Sequence, residues 1–338
     1  MSVRSRPASL SSRLVAVGVD VVVVTHGGGA DLPDAIAGAR AQGDAINRIV
    51  VIDNASPDGT ADVASGLAGV EVRRLPENLG YAAAMNIGLA MTDAPYVLAL
   101  NADARLGEGY VRALVAALEA DPTAAAATGT LVLPEGVVDS SGLTLTTAYV
   151  AFERDRGTPP ADVSTEPPFG VSGAASLWRR SALVEVGSAP WWEWLFVYWD
   201  DVELSWRLRR RGWHMLSVPS ARAEHRRGSD FAPSRFVEAA ALRNRLATIA
   251  RHRGARGLLR PGALAVTAAT MARLLVRHPG ALLDAHPLAA IRAGRRASVG
   301  DAGQLPAASL QKHPWGPWIA QQFSRGRRGL GAVPRTGR

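Results

Sequence analysis

Along the N-terminal third of the chain, short apolar runs rich in β-branched residues alternate with segments whose apolar positions recur at helical spacing. The runs are Val19–Thr25, Arg48–Asp53, Val70–Leu75 and Tyr96–Leu100, and the helical patterns are Leu32–Ala41, Thr60–Leu67, Tyr81–Met91 and Tyr110–Ala120. A repeated strand–helix unit predicts an α/β fold. Because the strands are nearly continuous in Val, Ile and Leu, burial on both faces is expected, and with it a mainly parallel sheet covered by helices on either side. Ligands of such sheets bind where strands end. Three of these strands end in polar residues, at Thr25-His26, Asp53-Asn54 and Asn101-Ala102-Asp103.

The segment Phe152–Phe169, with four prolines and several charges, reads as a loop between two functional halves. Val171–Arg180 follows, then an aromatic cluster at Trp191, Trp192, Trp194, Phe196, Tyr198 and Trp199. The segment 199–213 begins acidic and ends basic, with Val202/Trp206 and Leu204/Leu208 at helical spacing, so a helix with ends suited to its dipole is expected. Asp200 is expected to cap it and Glu203 to complete a capping-box-like arrangement. Met215–Pro219 reads as a strand. From about Phe231 the pattern is helical and is divided by Pro261, Pro279 and Pro287.

Two apolar stretches bear on membranes. Leu14–Val24 follows several arginines, but Asp20 interrupts it and no small-residue cleavage site follows, so it reads as a buried strand. Gly262–Val276 contains Arg273 and is shorter than the roughly 20 apolar residues of a spanning helix, so no transmembrane helix is expected. Arg273, followed by Arg277, instead suits a helix lying in a membrane interface; a helical pair packed on the body is the alternative. With no cysteine, disulfides, zinc–thiolate sites and thiol nucleophiles are excluded, and a reducing compartment, the cytoplasm, is expected. The formal charge of +8 is unevenly spread: residues 251–338 carry 15 Lys+Arg against Asp284 and Asp301 alone, and the rest is net acidic. Such a tail points to an anionic partner, nucleic acid or an acidic membrane surface.

Neither a GxGxxG nor a GxxxxGK[ST] phosphate loop is present. Asp103, at a strand end, reads either as a carboxylate ligand for the cation of a nucleoside diphosphate or as a turn residue before the following helix. Asp201, left over once Asp200 and Glu203 are assigned to the cap, lies at a helix mouth beside aromatic residues. Those side chains raise a carboxylate pKa and stack on sugars, which suits a general base. His225 taken alone is more often a hydrogen-bonded structural residue than a ligand.

Seven stretches occur in order: VVVVTH, VVIDNASPDGT, ENLGYAAAMNIGL, LALNADARL, GVSGAASLWRRSAL, WDDVELSWRLRRRGW and AEHRRGS. Together, over about residues 19–250, they resemble the family 2 inverting glycosyltransferases of GT-A fold that include bacterial rhamnosyl- and galactofuranosyltransferases. The resemblance implies a Rossmann-like, mainly parallel mixed sheet with helices on both faces, plus a C-terminal helical extension. It implies that Thr25 and Asp53 line the nucleobase and ribose pocket, and that Asn78, Gly80 and Asn86 run beneath the diphosphate, Gly80 permitting close backbone approach. Asn101 and Asp103 stand at the metal-binding DxD, Asp103 and His225 are the metal ligands, Asp201 is the base, and Gly173, Ala174, Trp199 and Asp200 lie on the acceptor side.

The implied cofactor is manganese or magnesium, the donor a nucleoside-diphosphate sugar and the acceptor a glycan or polyprenyl-linked molecule, with peripheral contact to anionic membrane and no nucleic acid expected. Gly187-Ser-Ala-Pro-Trp-Trp-Glu departs from the family's Gly-Gly-Phe-Asp-Glu, and Trp199 leans towards galactofuranosyl transfer where Asn101-Ala102-Asp103 leans towards rhamnosyl, so the sugar stays open. The expected division is a flexible N-terminus over 1–18, a catalytic domain over 19–250 with halves 19–134 and 171–250, a basic helical extension over 251–322 and a mobile tail over 323–338. Two other classes fit the sequence less well. Sugar nucleotidyl transfer lacks its lysine-bearing signature in THGGGADLP, and a basic nucleic-acid-binding module lacks a reader motif.

Overall fold

A computed structural model of the protein describes residues 18–227, 234–298 and 303–315. The segment expected to be flexible, 1–18, lies outside these apart from Gly18, and the expected mobile tail lies outside them altogether. In chain order the first half comprises β1 (Val19–Thr25), α1 (Leu32–Arg40), β2 (Ile46–Asp53), α2 (Thr60–Gly66), β3 (Glu71–Arg74), α3 (Tyr81–Ala90), β4 (Tyr96–Asn101), β5 (Ala104–Leu106), α4 (Tyr110–Ala120), β6 (Ala124–Val132), β7 (Val138–Ser140), β8 (Leu143–Leu145) and β9 (Ala151–Glu153). The second half comprises β10 (Ala175–Arg179), α5 (Arg180–Glu185), α6 (Asp200–Arg210), β11 (His214–His225), α7 (Arg235–Leu258), α8 (Pro261–Arg277), α9 (Ala281–Ala285) and α10 (Pro287–Arg296).

The main sheet runs β3-β2-β1-β4-β10-β6-β11-β5, with β7 paired to β6, and β8 and β9 form a separate hairpin. β1, β2, β3 and β4 are parallel, whereas β10 is antiparallel to both β4 and β6, and β5 is antiparallel to β11. The expected α/β fold with a mainly parallel, mixed sheet is therefore what forms. Alternate residues of β1 face opposite layers. Val21 and Val23 pack with Leu32, Ile36, Leu114 and Leu118 of α1 and α4, while Val22 packs with Met85 and Leu89 of α3 and with Leu204 and Leu208 of α6. At Gly88 an added Cβ would fall 2.3 Å from Val22 Cγ1, so only glycine lets α3 sit this close to the sheet.

Two boundaries differ from the sequence pattern for reasons of pairing. β2 starts at Ile46 because Ile46 already pairs with Val19. β11 is far longer than Met215–Pro219: it continues past Pro219 to His225, and its pairing with β6 is irregular between Ser217 and Arg222. An irregularity is where a strand tolerates proline, which cannot donate to the ladder.

The C-terminal helices pack on the body. Arg245, 6% exposed, reaches from α7 to the Ala148 and Tyr149 carbonyls at 2.8 and 2.7 Å and to Thr267 on α8 at 2.9 Å. The boundary expected at residue 250 falls inside α7, whose backbone breaks instead at Gly254. Arg273 does not face outward as an interfacial reading of α8 expects: it is buried and pairs with Glu238 of α7 at 2.6 Å. Among the described residues no single helix is long and apolar enough to cross a membrane; α7 and α8 meet that length and composition only as a pair bent by 114°.

Candidate active site

The parallel strands deliver their polar ends to one rim because they run in register. Thr25 and Asp53 are direct partners across β1 and β2, and both are buried. Thr25 donates to the Gly27 carbonyl at 2.5 Å, and the Asp53 carboxylate accepts from the Ser56 amide at 3.3 Å. Asn54, marked in the sequence only as a polar strand end and given no role there, ties this rim together. Its amide N–H donates to Asn78 Oδ1 at 2.8 Å, and its Oδ1 accepts from the Leu79 amide at 2.9 Å. Asn78 Oδ1 also accepts from the Gly80 amide at 2.9 Å.

Further along the rim, a run of hydrogen bonds joins the Asn101-Ala102-Asp103 turn to Asp201. The Asn101 amide donates to the Ala174 carbonyl at 2.8 Å, and next to it the Gly173 amide donates to Asp201 Oδ2 at 3.3 Å. The Tyr81 hydroxyl donates to the Gly173 carbonyl at 3.3 Å. Burial raises the Asp201 carboxyl well above the usual carboxylate range, the Asp200 and Glu153 charges add to this, and the Val202 and Gly173 amides only partly oppose it. Asp200 beside it is pushed up to about 6, chiefly by burial. A carboxylate held at an elevated pKa can accept a proton from a hydroxyl, as a general base must.

His225 comes to Asp103 through the short antiparallel pairing of β5 with the end of β11, where His225 is the register partner of Ala104. Its Nε2 lies 3.3 Å from Asp103 Oδ1, and its Nδ1 is hydrogen-bonded to Asp139 Oδ2 at 2.7 Å. Asp139 is fully buried and also takes Arg227 at 2.5 Å; Arg227 in turn reaches Glu153 at 3.2 Å. Glu153 is thus shared, since its charge also bears on Asp201. Burial opposes a charged His225 ring, but the hydrogen bonds and charges of Asp103 and Asp139 outweigh it and hold the pKa at about 9.

These residues fit a divalent cation. Two carboxylates already stabilise positive charge at the ring, and the 3.3 Å separation is close to the ~3 Å between adjacent donors on a metal with bonds of about 2.1 Å. An oxygen and a nitrogen donor make only two ligands, and among the described residues no group of three His, Cys, Asp or Glu forms a site. A metal there would depend on oxygens of its substrate. With a metal at His225, Asp139 would play the orienting part that carboxylates play behind metal-bound imidazoles. No motif marked it, because it lies in a three-residue strand far from His225 in sequence.

Three sequence expectations are revised. Asp200 and Glu203 form no capping box: α6 begins after Trp199, which is left-handed at φ 70° and supplies no side-chain cap. Glu203 is fully buried, binding Arg207 at 2.8 Å, Arg251 at 3.0 Å and His252 at 3.1 Å. Asn86 is buried, and its amide is committed to Trp191 at both ends and to Glu193, so it clamps the aromatic segment. Gly80, at φ 84°, makes its close approach to Phe196, where an added Cβ would fall 2.5 Å from the ring.

The aromatic segment before Asp201 is backbone-strained, with Phe196, Tyr198 and Trp199 at φ 65°, 66° and 70°. Asn244 of α7, fully buried and not foreseen, holds it by donating to the Leu195, Val197 and Tyr198 carbonyls at 2.9, 2.7 and 2.8 Å. Trp199 and Asp200 therefore reach the mouth of α6 on a braced loop.

The family model for Glycosyl transferase family 2 matches residues 20–187. The N-acetylglucosaminyl-diphospho-decaprenol L-rhamnosyltransferase of Mycobacterium tuberculosis is 30% identical over 237 residues, covering 61% of this chain and 75% of the relative. The poly-beta-1,6-N-acetyl-D-glucosamine synthase of Staphylococcus aureus is 28% identical over 188 residues, covering 51% of this chain and 41% of that protein. In fold, the chain is similar to a mannosyltransferase from Pyrobaculum calidifontis solved with GDP-Man and Mn2+, at TM-score 0.53 and 20% identity over 90% of this chain and 83% of the other. It is also similar to GalNAc-T7 solved with UDP, GalNAc and Mn2+, at TM-score 0.55 and 15% identity over 91% of this chain and 56% of the other. The ordered motifs, the GT-A fold and these relatives agree: the chain belongs to glycosyltransferase family 2 and is a glycosyltransferase.

Proposed function

We propose that the protein transfers a sugar with inversion from a nucleoside diphosphate to a lipid-linked or glycan acceptor, in a divalent-metal-dependent reaction of cell-wall or surface-polysaccharide synthesis. The observation that carries this reading is the hydrogen-bonded connection from Asn101 through Ala174 and Gly173 to Asp201, with His225 beside Asp103 at its other end. It spans a donor-diphosphate side and a base side. Asp201 takes the proton of the attacking acceptor hydroxyl, Thr25 and Asp53 hold the nucleoside, and Asp103 with His225 hold the metal. Bound there, a manganese or magnesium ion supplies charge neutralisation for the departing diphosphate. Support for the acceptor class comes from the mycobacterial relative, whose name specifies a diphospho-decaprenol substrate.

A place at the inner face of the plasma membrane belongs to the same reading. Leu275, Val276, Leu283 and Leu288 of the C-terminal helices are 56%, 83%, 74% and 70% exposed within the arginine-rich part of the chain. The experiment for the reaction is thermal-shift screening with UDP-, dTDP- and GDP-sugars, with and without manganese, since a ligand of the folded state raises its stability. A manganese-dependent shift with one nucleotide supports the reading and names the donor class; no shift with any donor removes it.

A further inference from the structure

α7 is interrupted at Gly254 (φ 59°, ψ −159°), and the chain around this break walls a cavity of about 750 Å3, separate from the rim described above. Arg251, Arg253 and Arg256 of α7, Arg260 at the turn into α8 and Arg210 at the end of α6 line it, and no carboxylate among the described residues does. Guanidiniums crowd at a cost unless an anion joins them. Glu203, behind the wall, lies 3.0 Å from Arg251 Nη1 as an ion pair, but its hydrogen bonds from arginine are the two from Arg207 at 2.8 and 3.0 Å, so one negative charge serves two cations. Arg253 and Arg260 lean on a neutral oxygen, each donating to the Tyr149 hydroxyl at 3.2 Å, and Arg210 donates to the Gly303 carbonyl at 2.8 Å among its contacts. Burial, then repulsion from Arg253 and Arg211, lowers the Arg210 pKa.

One buried donor in the wall points the same way. Trp206 is fully buried, and its indole N–H, which can only donate, has no acceptor among the described residues. The His252 ring stacks on it at 4.6 Å and gives its Nε2 to Glu203; burial lowers its pKa to about 4, so it adds no charge at neutral pH.

We infer that this cavity binds a phosphate or diphosphate group, gripped by Arg251, Arg253, Arg256, Arg260 and Arg210. Arginine forks match phosphate oxygens two at a time. Ligand pockets run to roughly 300–1,000 Å3, so there is room for a diphosphate together with part of what it is attached to. The site is not that of the donor diphosphate. None of Thr25, Asp53, Asp103, Asp201 or His225 lines it, and Trp206 and Arg210 lie about 8 and 14 Å along the α6 axis even from Asp201, at 1.5 Å per residue. Leu259, between Arg256 and Arg260 in the chain, is 66% exposed, which suits a phosphate borne on a lipid as well as a free one.

The test needs no sugar transfer, so its failure leaves the transferase reading intact. Full-length protein is titrated calorimetrically with inorganic pyrophosphate in the presence of a chelator, and sedimented with vesicles of phosphatidylcholine alone or mixed with phosphatidylglycerol. Expected is saturable pyrophosphate binding that weakens at least about tenfold in both Arg256→Glu and Arg260→Glu, with no such loss in Arg112→Glu on α4. Arg256 and Arg260 are exposed, and circular dichroism checks that their variants fold. For a lipid-borne phosphate, the same two variants also lose the phosphatidylglycerol vesicles and pyrophosphate competes for them; for a free one, vesicle binding is unchanged. Absence of pyrophosphate binding, or binding that survives both substitutions, overturns the inference.

Discussion

As the proposed base, Asp201 carries opposite demands of catalysis and stability. Its carboxyl is held well above the ordinary 3.8 by burial and by Asp200, so ionising it costs folding free energy. The sign follows from linkage: the favourable contribution of a raised carboxyl is fully present below 3.8 and is lost as pH rises through the folded-state value. Asp201→Asn is therefore expected to lower kcat by about 100- to 10,000-fold while retaining donor binding. It should also raise the melting temperature at pH 8, an advantage that shrinks towards pH 4. Calorimetry across pH with donor titration checks both, and a variant of normal rate removes the base assignment. Wild-type kcat/KM should fall on the acid side of the elevated Asp201 pKa. Asp139→Asn keeps the shape but removes the charge that orients His225, and an expected loss of about 10- to 100-fold in manganese affinity is measurable by electron paramagnetic resonance.

At the scale of elements, the mouth of α6 depends on a loop that is strained on its own and braced by α7. Asn244→Ala withdraws the donor from the Leu195, Val197 and Tyr198 carbonyls, and is expected to cost about 1–3 kcal/mol in urea unfolding. Because the loop leads directly into Asp200 and Asp201, kcat should fall more than the residual stability explains. Unchanged kcat in a destabilised variant would separate the brace from the chemistry. The repeated strand–helix units were legible in the sequence because buried parallel strands and the helices covering them each carry a periodic apolar signature, as Val19–Thr25 and Tyr110–Ala120 show. The full reach of β11 was not, because Pro219 sits in its middle and only the irregular pairing with β6 accommodates it.

For the whole molecule, the charge split between body and C-terminal region becomes two things once folded. Arg245 and Arg273 are buried braces, while Arg256 and Arg260 stay at the surface beside exposed leucines. The interfacial reading thus loses Arg273 but keeps the apolar surface of α8. Replacing Leu275 and Val276 by Ser is expected to reduce sedimentation with anionic vesicles without lowering the melting temperature, because both side chains are already exposed. Equal sedimentation of the variant and the parent would rule out α8 as the contact.

By itself the sequence determined the α/β alternation, the rim to which the strand ends bring Thr25, Asp53 and Asp103, and the ordered motifs that mark the family. Such features are local: a residue's place at the end of a strand follows from the apolar run before it. The motifs already paired His225 with Asp103; tertiary structure alone decided that Asp139 holds His225, that Glu203 anchors arginines instead of capping a helix, and that Asn244 braces the aromatic loop. Each of these joins residues on different elements or gives a local pattern a buried partner from afar. Pairing and burial set them, and neither leaves a periodic trace in the chain.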